Sequence, residues 1–477
     1  MKIHIQKLGI LENTDFELRK GLTLLVGQNQ TGKSYVSYLV NAIFDRRFTL
    51  GLSTYPEAHL PIFREWTDTI LNHGVMIIPE KDLIDIIKQF YDIQNNRINW
   101  HSESERTFFQ SNYKLNYENV NNWSIYIKYN IFEKKSLHNF SQILEAGVMS
   151  NATIGVNKNK DGQLELRDFF FERRFGKNIG DIDQLYHKNI LNVFVDIFNY
   201  ALPYLHFEIA ERAGYIPHLS FLSNALIDDR ERASLMPHVV HYVQNQNRLS
   251  DNMRQGDYHQ IADKYSLQIM KGRVLQMQNA PLIFEFGAVE SGALKDAKQL
   301  YVHAAASTVK SLAGLFMFLR SEAREGDVIL IDEPEIHLHP DNQIWVARML
   351  AELVNAGLNI IVSTHSVIIL QELNNLVRLG SAENLTEEQI EQQADIQREF
   401  GYTPEMCLTP DQLHPYLFRF RDESKRDSAE IVPLNVNWEG IDQVQSISKS
   451  LYQLNKSVYR IYDELVRPRS AQEDDED

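Results

Sequence analysis

Cysteine is almost absent from this chain of 477 residues, because Cys407 is its only one. A single thiol cannot form an intramolecular disulfide, so a fold held together by such bonds is excluded and a reducing compartment fits. Cys407 is expected to be a structural or incidental thiol.

Long apolar runs are missing as well. The richest stretch, Ile190 to Phe207, is interrupted by Asp196 and Pro203, and no run reaches the roughly 18 uninterrupted apolar residues of a membrane span. The N-terminal residues Met1 to Ile5 enter alternating, strand-like sequence without the apolar segment of a signal peptide. We therefore expect a cytoplasmic protein that does not cross a membrane.

Positive charge is also in deficit, with a formal net charge of −16. This balance argues against an extensive surface that neutralises nucleic-acid phosphates, although it leaves room for a local basic groove. Part of the negative charge lies in the tail Glu473 to Asp477, which is expected to be disordered and solvated. The apolar share of 43% is ordinary for a globular protein with a large core.

A complete phosphate-binding loop of the pattern Gly-x-x-x-x-Gly-Lys-Ser follows the apolar run Leu22 to Val26. Its glycines allow backbone N–H groups to face phosphates, and the positive end of the next helix adds to the attraction. Lys33 would reach the β- and γ-phosphates, and Ser34 would bind magnesium (Mg2+) through its hydroxyl. The expected ligands are ATP and Mg2+. The nucleotide-binding residues are Gly27, Gln28, Asn29, Gln30, Thr31, Gly32, Lys33 and Ser34.

Two carboxylates follow a second apolar run about three hundred residues later, Asp332 and Glu333 after Val328 to Ile331. Because ligand chemistry in α/β sheets sits at the carboxyl ends of strands, Asp332 would hold the hydration shell of the metal. Glu333 would orient or deprotonate the attacking water, and His365 after the next apolar run would sense the γ-phosphate. The sequence therefore predicts an ATPase site in two distant halves, with a helix-capping acidic pair as the alternative.

Three segments resemble one known group of proteins. Asp332 to Pro340 resembles the acidic strand and turn of the overlapping-lysogenization-defect ATPases, which are ABC-type ATPases related to RecF and the SMC proteins. Ala306 to Leu312 resembles their reduced signature motif, and Ala210 to Gly214 a short arginine-containing segment. The chain also resembles the ATPase subunits of the phage-defence systems Septu and PARIS. It has no Leu-Ser-Gly-Gly-Gln, which argues against a membrane-transporter ATPase.

The resemblance implies that Ser307 contacts the γ-phosphate bound by a second subunit. The chain would then form a homodimer or a higher homo-oligomer with shared ATP sites. A plain helix cap is the alternative for Ser307. For Arg212, a phosphate or interface arginine and a structural ion pair are both open. His337 and His339 could suggest metal ligation, but without a third ligand at suitable spacing we expect packing or capping.

The fold class expected from these features is α/β: an ABC-type ATPase head, with a mixed sheet flanked by helices, interrupted by a large, mostly helical insertion. Residues 1–50 should hold two strands, the loop and a helix over Lys33 to Phe44. Further strands are expected over Trp123 to Tyr129 and in a hairpin of Thr153 to Val156 with Gln163 to Leu166. The expected regions are 1–50 (N-terminal head), 51–280 (insertion, returning briefly to the head near 204–216), 281–380 (C-terminal head), 381–466 (an α+β region) and 467–477 (the tail).

Two functions stay open. Some relatives carry a C-terminal nuclease, but the residues after His365 contain no Asp-x-Asp pair in a strand-like context. The first function is therefore a stand-alone ATPase whose nucleotide-dependent assembly regulates a separate effector, such as a nuclease, in antiphage defence. The second is a RecF-like DNA-binding ATPase in repair or recombination. The acidic charge favours the first.

Overall fold

The computed structural model describes the chain in segments. These are residues 2–44, 75–78, 125–128, 154–158, 164–168, 204–218, 256–275, 282–290, 292–380, 387–438 and 440–441, together with single positions at 65, 68, 69, 73, 222, 242, 243 and 246.

The described strands are short and alternate with helices in the second half of the chain. They are β1 (Lys2–Leu8), β2 (Leu11–Glu17), β3 (Leu22–Gly27), β4 (Val75–Ile78), β5 (Ile125–Lys128), β6 (Ile154–Lys158), β7 (Leu164–Asp168), β8 (Leu205–Glu208), β9 (Gly272–Leu275), β10 (Ile283–Glu290), β11 (Ala293–Tyr301), β12 (Val328–Asp332), β13 (Asn359–Thr364), β14 (Leu413–Phe420), β15 (Ala429–Pro433), β16 (Val436–Asn437) and β17 (Gly440–Ile441). The α-helices described over their full length are α1 (Lys33–Phe44), α2 (Arg212–Tyr215), α3 (His259–Met270), α4 (Ser307–Ser321), α5 (Pro340–Asn355), α6 (Val367–Gly380) and α7 (Glu387–Phe400).

A mixed sheet forms the centre of the described structure, with the strand order β5-β1-β2-β15-β14-β3-β13-β12-β8. The five strands from β14 to β8 run parallel, whereas β1 and β2 are antiparallel. The strands β8 and β12 are buried at every residue, which is the pattern of a parallel sheet covered on both faces. Helix α1 packs against β3 and β12, and α5 against β13. The expected α/β class, a mixed sheet flanked by helices, is confirmed.

The N-terminal segment contains three strands before α1, where the sequence analysis expected two. The extra strand arises because β1 and β2 form a tight antiparallel hairpin, in which Leu8 pairs with Leu11. Gly9 in its turn has φ +62, a left-handed conformation that glycine adopts without strain. The predicted helix Lys33 to Phe44 is confirmed as α1.

The strands β14 and β15 lie inside the main sheet, between β2 and β3. Tyr416 and Phe418 pair in register with Leu25 and Gly27. Residues 413–433 of the α+β region expected over 381–466 therefore share a sheet with the strand that leads into the phosphate loop, and the bounds of that region stay a prediction. Cys407, which precedes them, is half-buried, and burial raises the pKa of its thiol, as suits a structural role.

Part of the predicted insertion can be compared with the structure. The predicted strand at Trp123 to Tyr129 is confirmed as β5, which pairs with β1. The predicted hairpin is confirmed as β6 and β7. The apolar spacing from Ile62 to about Tyr91 predicts helix. This prediction is wrong at β4, because Val75–Ile78 is a strand paired with β7. The sequence pattern also predicts helices over His187 to Tyr200 and Val444 to Leu465. Both segments, and the acidic tail, lie outside the described residues.

The strands β9, β10 and β11 form a separate antiparallel sheet. The apolar pattern from Pro281 to Ala288 predicts a strand that re-enters the catalytic core. The strand exists as β10, but it pairs with β9 and β11 rather than with the main sheet. Within the segments described, no helix combines the length and the apolar character needed to cross a membrane.

Candidate nucleotide site

The two halves of the predicted site meet at one edge of the main sheet. Because β3, β13 and β12 are parallel neighbours, their carboxyl ends lie side by side. Ser363 pairs in register with Leu25 on one side and with Asp332 on the other. The phosphate loop, the carboxylate pair and His365 therefore converge, although about three hundred residues separate Lys33 from Asp332.

The phosphate loop is shaped by close contact with β14. Gly27 has φ +141, and a Cβ atom at this position would lie 2.1 Å from the carbonyl oxygen of Phe418. Only glycine fits there, because a side chain would meet backbone at a distance that real Cβ atoms do not show. The Thr31 hydroxyl donates a hydrogen bond to the Gln28 carbonyl at 2.7 Å. Gln28, Asn29 and Gln30 are exposed, which leaves this part of the loop open to a ligand.

Lys33 begins α1 and is only 6% exposed. Its ammonium donates to the carbonyls of Gly27 and Gln28 at 3.1 and 2.7 Å. Burial lowers the pKa of Lys33 to about 8, and the charges of Glu333, Asp332 and Glu335 oppose this shift. Ser34 beside it is exposed. This arrangement of a buried cation and a helix N-terminus suits an anionic phosphate.

Asp332 closes β12 and is 5% exposed. It accepts a hydrogen bond from the Ser363 hydroxyl. Burial raises the pKa of Asp332, and the Ser363 hydrogen bond partly offsets that shift. A buried carboxylate and the exposed Ser34 hydroxyl are hard oxygen ligands, which is the chemistry that Mg2+ prefers. The residues present therefore fit a magnesium–nucleotide complex.

Glu333 lies in the left-handed region with φ +48, which is uncommon for a non-glycine residue. Its N–H donates to the Ser363 carbonyl at 3.0 Å. Burial raises the pKa of Glu333, and the neighbouring carboxylates Asp332 and Glu335 add to the rise. A carboxylate of raised pKa is a better proton acceptor for water than an ordinary one.

His365 stands opposite Glu333, with 3.8 Å between its Nε2 and the Glu333 carboxylate. Burial, followed by the charge of Lys33, lowers the pKa of His365 to about 4. The ring is therefore neutral near pH 7, so one nitrogen can donate and the other accept a hydrogen bond. This state suits contact with a phosphate without adding charge to the site.

Glu335 is a site residue that the sequence analysis missed. Its carboxylate accepts hydrogen bonds from the Thr364 hydroxyl at 2.9 Å and from the His365 N–H at 2.6 Å. It therefore fixes the end of β13 to the turn that follows β12. The third carboxylate in Asp-Glu-Pro-Glu was visible in the sequence, but its partners on another strand were not. Ser363, which holds both Asp332 and Glu333, was also missed.

Arg212 fits neither alternative considered from the sequence. Its guanidinium is buried, with 1% of the residue exposed, and it donates to backbone carbonyls rather than to a carboxylate. Nε donates to Ser311 at 2.6 Å, Nη1 to Ile209 and Asp332 at 2.9 Å, and Nη2 to Glu333 at 3.3 Å. Arg212 thus connects the end of β8, the turn after β12 and helix α4.

Ser307 is exposed at the first position of α4. The N-cap residue is Ala306, which has no side-chain capping hydrogen bond, so Ser307 is not the helix cap that the sequence analysis considered. It takes no part in the hydrogen bonds that connect Asp332, Glu333 and His365 within the described residues. Ser307 thus differs from the other predicted site residues, because it lies at the start of α4 and not at the carboxyl ends of β3, β12 and β13.

The two histidines of the turn after β12 have backbone and capping contacts. His339 is the N-cap of α5 and its Nδ1 accepts from the Asp341 N–H at 3.4 Å. The His337 carbonyl accepts from the Thr308 hydroxyl at 2.9 Å. Across the part of the chain that the structure describes, no group of three or more His, Cys, Asp and Glu side chains could hold a metal ion. Capping is confirmed for His339, whereas the contact of His337 is made by its backbone.

Residues 243–370 match the model of a family described as an AAA ATPase domain. The match includes α4, Asp332, Glu333 and His365 but not the phosphate loop. It covers about a quarter of the chain.

A curated protein from Methanosarcina acetivorans, described as a putative ABC transporter ATP-binding protein, is 36% identical over 52 residues. These are 11% of this chain and 19% of that protein, so the chain spans about a fifth of the relative's length. Among solved structures, an SMC head bound to the C-winged helix domain of ScpA aligns with TM-score 0.34 and 13% identity, over 91% of this chain and 98% of that one. The SMC head domain from Thermotoga maritima aligns with TM-score 0.30 and 12% identity, over the same shares.

The site geometry and the family match point to the same class of chemistry. Residues 243–370 resemble an AAA ATPase domain, and the phosphate loop, the carboxylate pair and His365 meet at the carboxyl ends of β3, β12 and β13. The chain is therefore similar to nucleotide-binding ATPases in this region.

Proposed function

We propose that the chain binds ATP with Mg2+ and hydrolyses it slowly, at a site that a second copy of the chain completes. This nucleotide-dependent assembly regulates a separate effector protein, such as a nuclease, in antiphage defence. The observation that carries the assembly step is the start of α4, where Ser307 is exposed and no side chain caps the helix.

The roles of the site residues follow from their positions. The loop amides and Lys33 bind the phosphates, and Ser34 with Asp332 holds the magnesium ion. The ion, when bound, neutralises charge that develops on the transferred phosphoryl group. Glu333 orients the attacking water and accepts its proton, which its raised pKa favours. The neutral His365 contacts the γ-phosphate from the neighbouring strand end.

The second copy would contact the bound nucleotide through the N-terminus of its α4. The first N–H groups of a helix carry partial positive charge and bind anions. In α4 these groups lack a side-chain cap, and Ser307 at the first position of the helix is exposed. A phosphate held by another subunit's Lys33 would satisfy them. Nucleotide then joins two chains, and each site lacks one component until they meet.

The regulatory role is supported by the resemblance to defence-system ATPase subunits and by charge. A net charge of −16 is unfavourable for clamping duplex DNA, whose binding depends on neutralising phosphates. The RecF-like function in repair therefore becomes the alternative outcome of the test. Binding to duplex DNA that weakens steeply with added salt would favour it.

Complementation between two variants with reduced ATPase activity tests the shared site. Lys33→Ala removes phosphate binding, and Ser307→Ala removes the contribution to the other subunit. A mixture contains dimers in which one site has both residues intact, so ATPase activity should return to about a quarter of the wild-type value. The matched control mixes Lys33→Ala with Glu333→Gln, which both damage the same half-site and should not complement. If both variants are folded and the ATPase activity of their mixture does not exceed that of the separate variants, the shared site is contradicted.

The effector hypothesis needs a second experiment. Glu333→Gln should bind ATP without turnover and hold the closed assembly. We expect size-exclusion chromatography with ATP to show this variant as a dimer or larger species, and proteins encoded next to it to co-elute only in that state. Co-elution that is independent of nucleotide would contradict regulation by assembly.

A further inference from the structure

Arg212 is unusual in where its five donors are directed. Arginine normally pairs with carboxylates or phosphates, but here every described hydrogen bond of the guanidinium ends on a backbone carbonyl. The acceptors come from three separate parts of the chain: the end of β8, the turn after β12 and α4. One buried side chain therefore fixes their relative positions.

The turn that Arg212 contacts is conformationally strained. Glu333 and His337 have φ values of +48 and +65, a region that non-glycine residues occupy only when their surroundings enforce it. Arg212 holds the carbonyls of Asp332 and Glu333, and Ser363 holds the N–H of Glu333. The Glu333 carboxylate is thus aimed by contacts on both sides of its own backbone.

The same arginine reaches α4 one helical turn after Ser307, at the Ser311 carbonyl. A second contact joins the two elements, because the Thr308 hydroxyl donates to the His337 carbonyl at 2.9 Å. The first turns of α4 and the Glu333 turn are therefore connected at two points. A movement of Ser307 and the first turn of α4 would therefore shift the backbone of Glu333 through these contacts.

We propose that Arg212 is a positioning residue that transmits the seating of Ser307 on a second subunit's nucleotide to the catalytic Glu333. This inference rests on the proposed ATP hydrolysis at a shared site. The role requires arginine, because a planar guanidinium presents donors in several fixed directions and a lysine ammonium is a point donor. Nucleotide binding itself does not use Arg212, since its donors are occupied by backbone.

The test compares Arg212→Lys with Arg348→Lys. Arg348 is a matched control: it is 6% exposed, is paired with Glu372 at 2.6 Å, and lies in α5 outside the predicted site. Both variants should lower the melting temperature. Arg212→Lys should also lower kcat about tenfold or more, with KM and the dissociation constant for MgATP within about threefold of wild type. Equal kcat losses in the two variants, or a loss of MgATP affinity in Arg212→Lys, overturn the proposal.

A double-mutant cycle with Ser307→Ala separates transmission from local disorder. In the wild-type background Ser307→Ala should lower kcat, whereas in Arg212→Lys it should lower kcat by less than about a further twofold. Fully multiplicative losses overturn the proposal. If Arg212→Lys does not fold, Thr308→Val removes the second contact without changing side-chain shape. It should reduce kcat at unchanged MgATP affinity, and unchanged kcat overturns transmission through this turn.

The outcomes distinguish this inference from the proposed function. Wild-type protein without ATPase activity, or Lys33→Ala with normal activity, would refute hydrolysis at this site altogether. Complementing half-sites together with an Arg212→Lys variant that behaves like Arg348→Lys would leave the shared site intact and refute only the transmission.

Discussion

Replacing Lys33 by methionine should stabilise the nucleotide-free protein while abolishing nucleotide binding. Methionine keeps the length and apolar character of the side chain but removes the buried ammonium. Burial lowers the pKa of Lys33 from 10.5 to about 8, and each pKa unit corresponds to about 1.4 kcal/mol. Keeping the lysine charged in the folded state therefore costs about 3 kcal/mol.

The gain from the substitution is smaller than this figure, because the carbonyls of Gly27 and Gln28 each lose a hydrogen bond. A lost hydrogen bond of this kind costs about 1 kcal/mol. Water can reach the exposed Gln28 and replace part of what is lost. We therefore expect Lys33→Met to raise the free energy of unfolding at pH 7 by about 1–2 kcal/mol.

The difference in free energy of unfolding between Lys33→Met and the wild type should decrease as pH rises. Below pH 8 the lysine is protonated in both states, so the full cost of its burial is present. Between pH 8 and 10.5 the folded state loses the proton first, the unfolded state binds more protons, and the wild type gains stability as pH rises. The advantage of Lys33→Met should therefore shrink across this window, vanish near about pH 9 and become a disadvantage towards pH 10.5, where only the lost hydrogen bonds remain.

Urea denaturation at pH 7, 9 and 10 measures this difference, and calorimetric titration with MgATP measures binding. The exposed Lys298→Met on β11 is the control and should change neither quantity. A Lys33→Met variant that is destabilised at pH 7, or one whose advantage grows from pH 8 to 10, would refute the account of a strained buried cation. Retained MgATP binding would refute the role of Lys33 in the site.

Three further predictions follow from the same structure. Gly27→Ala should weaken MgATP binding about tenfold or more and lower the melting temperature, because its Cβ would lie 2.1 Å from the Phe418 carbonyl oxygen. The control is Gly292→Ala, because Gly292 also has a positive φ but its Cβ would meet no atom within 4 Å. This variant should lower only the melting temperature, and by less. Arg348→Met should lower the free energy of unfolding, measured by urea denaturation, by about 3–5 kcal/mol, because the buried Glu372 would lose the guanidinium that neutralises it. Adding Glu372→Leu should recover most of that loss. Because the pKa of His365 is about 4, the ATPase rate should show no ionisation of this residue between pH 6 and 8 and should fall as pH drops towards 4. The contrary result is a rate that depends on a group of pKa near 6.5 in the wild type but not in His365→Asn.

Local signals in the sequence were sufficient for the core of the site. The phosphate loop and the helix from Lys33 to Phe44 are contiguous, so spacing alone identifies both. Asp332 and His365 each end an apolar run that forms a buried strand. Their convergence also follows from general rules, since the carboxyl ends of parallel strands share one edge.

The features that sequence reasoning missed all depend on pairing between distant segments. The insertion of β14 beside β3 joins Phe418 to Gly27 across about 390 residues. Glu335 acquires its partners only because β13 ends next to the turn after β12. Arg212 was singled out because its segment resembles one in a known group of ATPases, and the partners considered for it were charged groups rather than backbone carbonyls. Its actual acceptors become visible only when α4 and β12 are placed beside β8.

The electrostatics of this edge determine which ligand it accepts. Burial raises the pKa of Asp332 and of Glu333 and lowers that of Lys33, so each of these charges is held where water would stabilise it better. A free phosphate would stabilise Lys33 but bring more negative charge to the carboxylates, and a metal ion alone would do the reverse. A nucleotide bound together with a divalent cation satisfies both kinds of group at once. We therefore expect the proposed site to bind the magnesium complex more tightly than either component, with the same charges that destabilise the free protein providing the affinity.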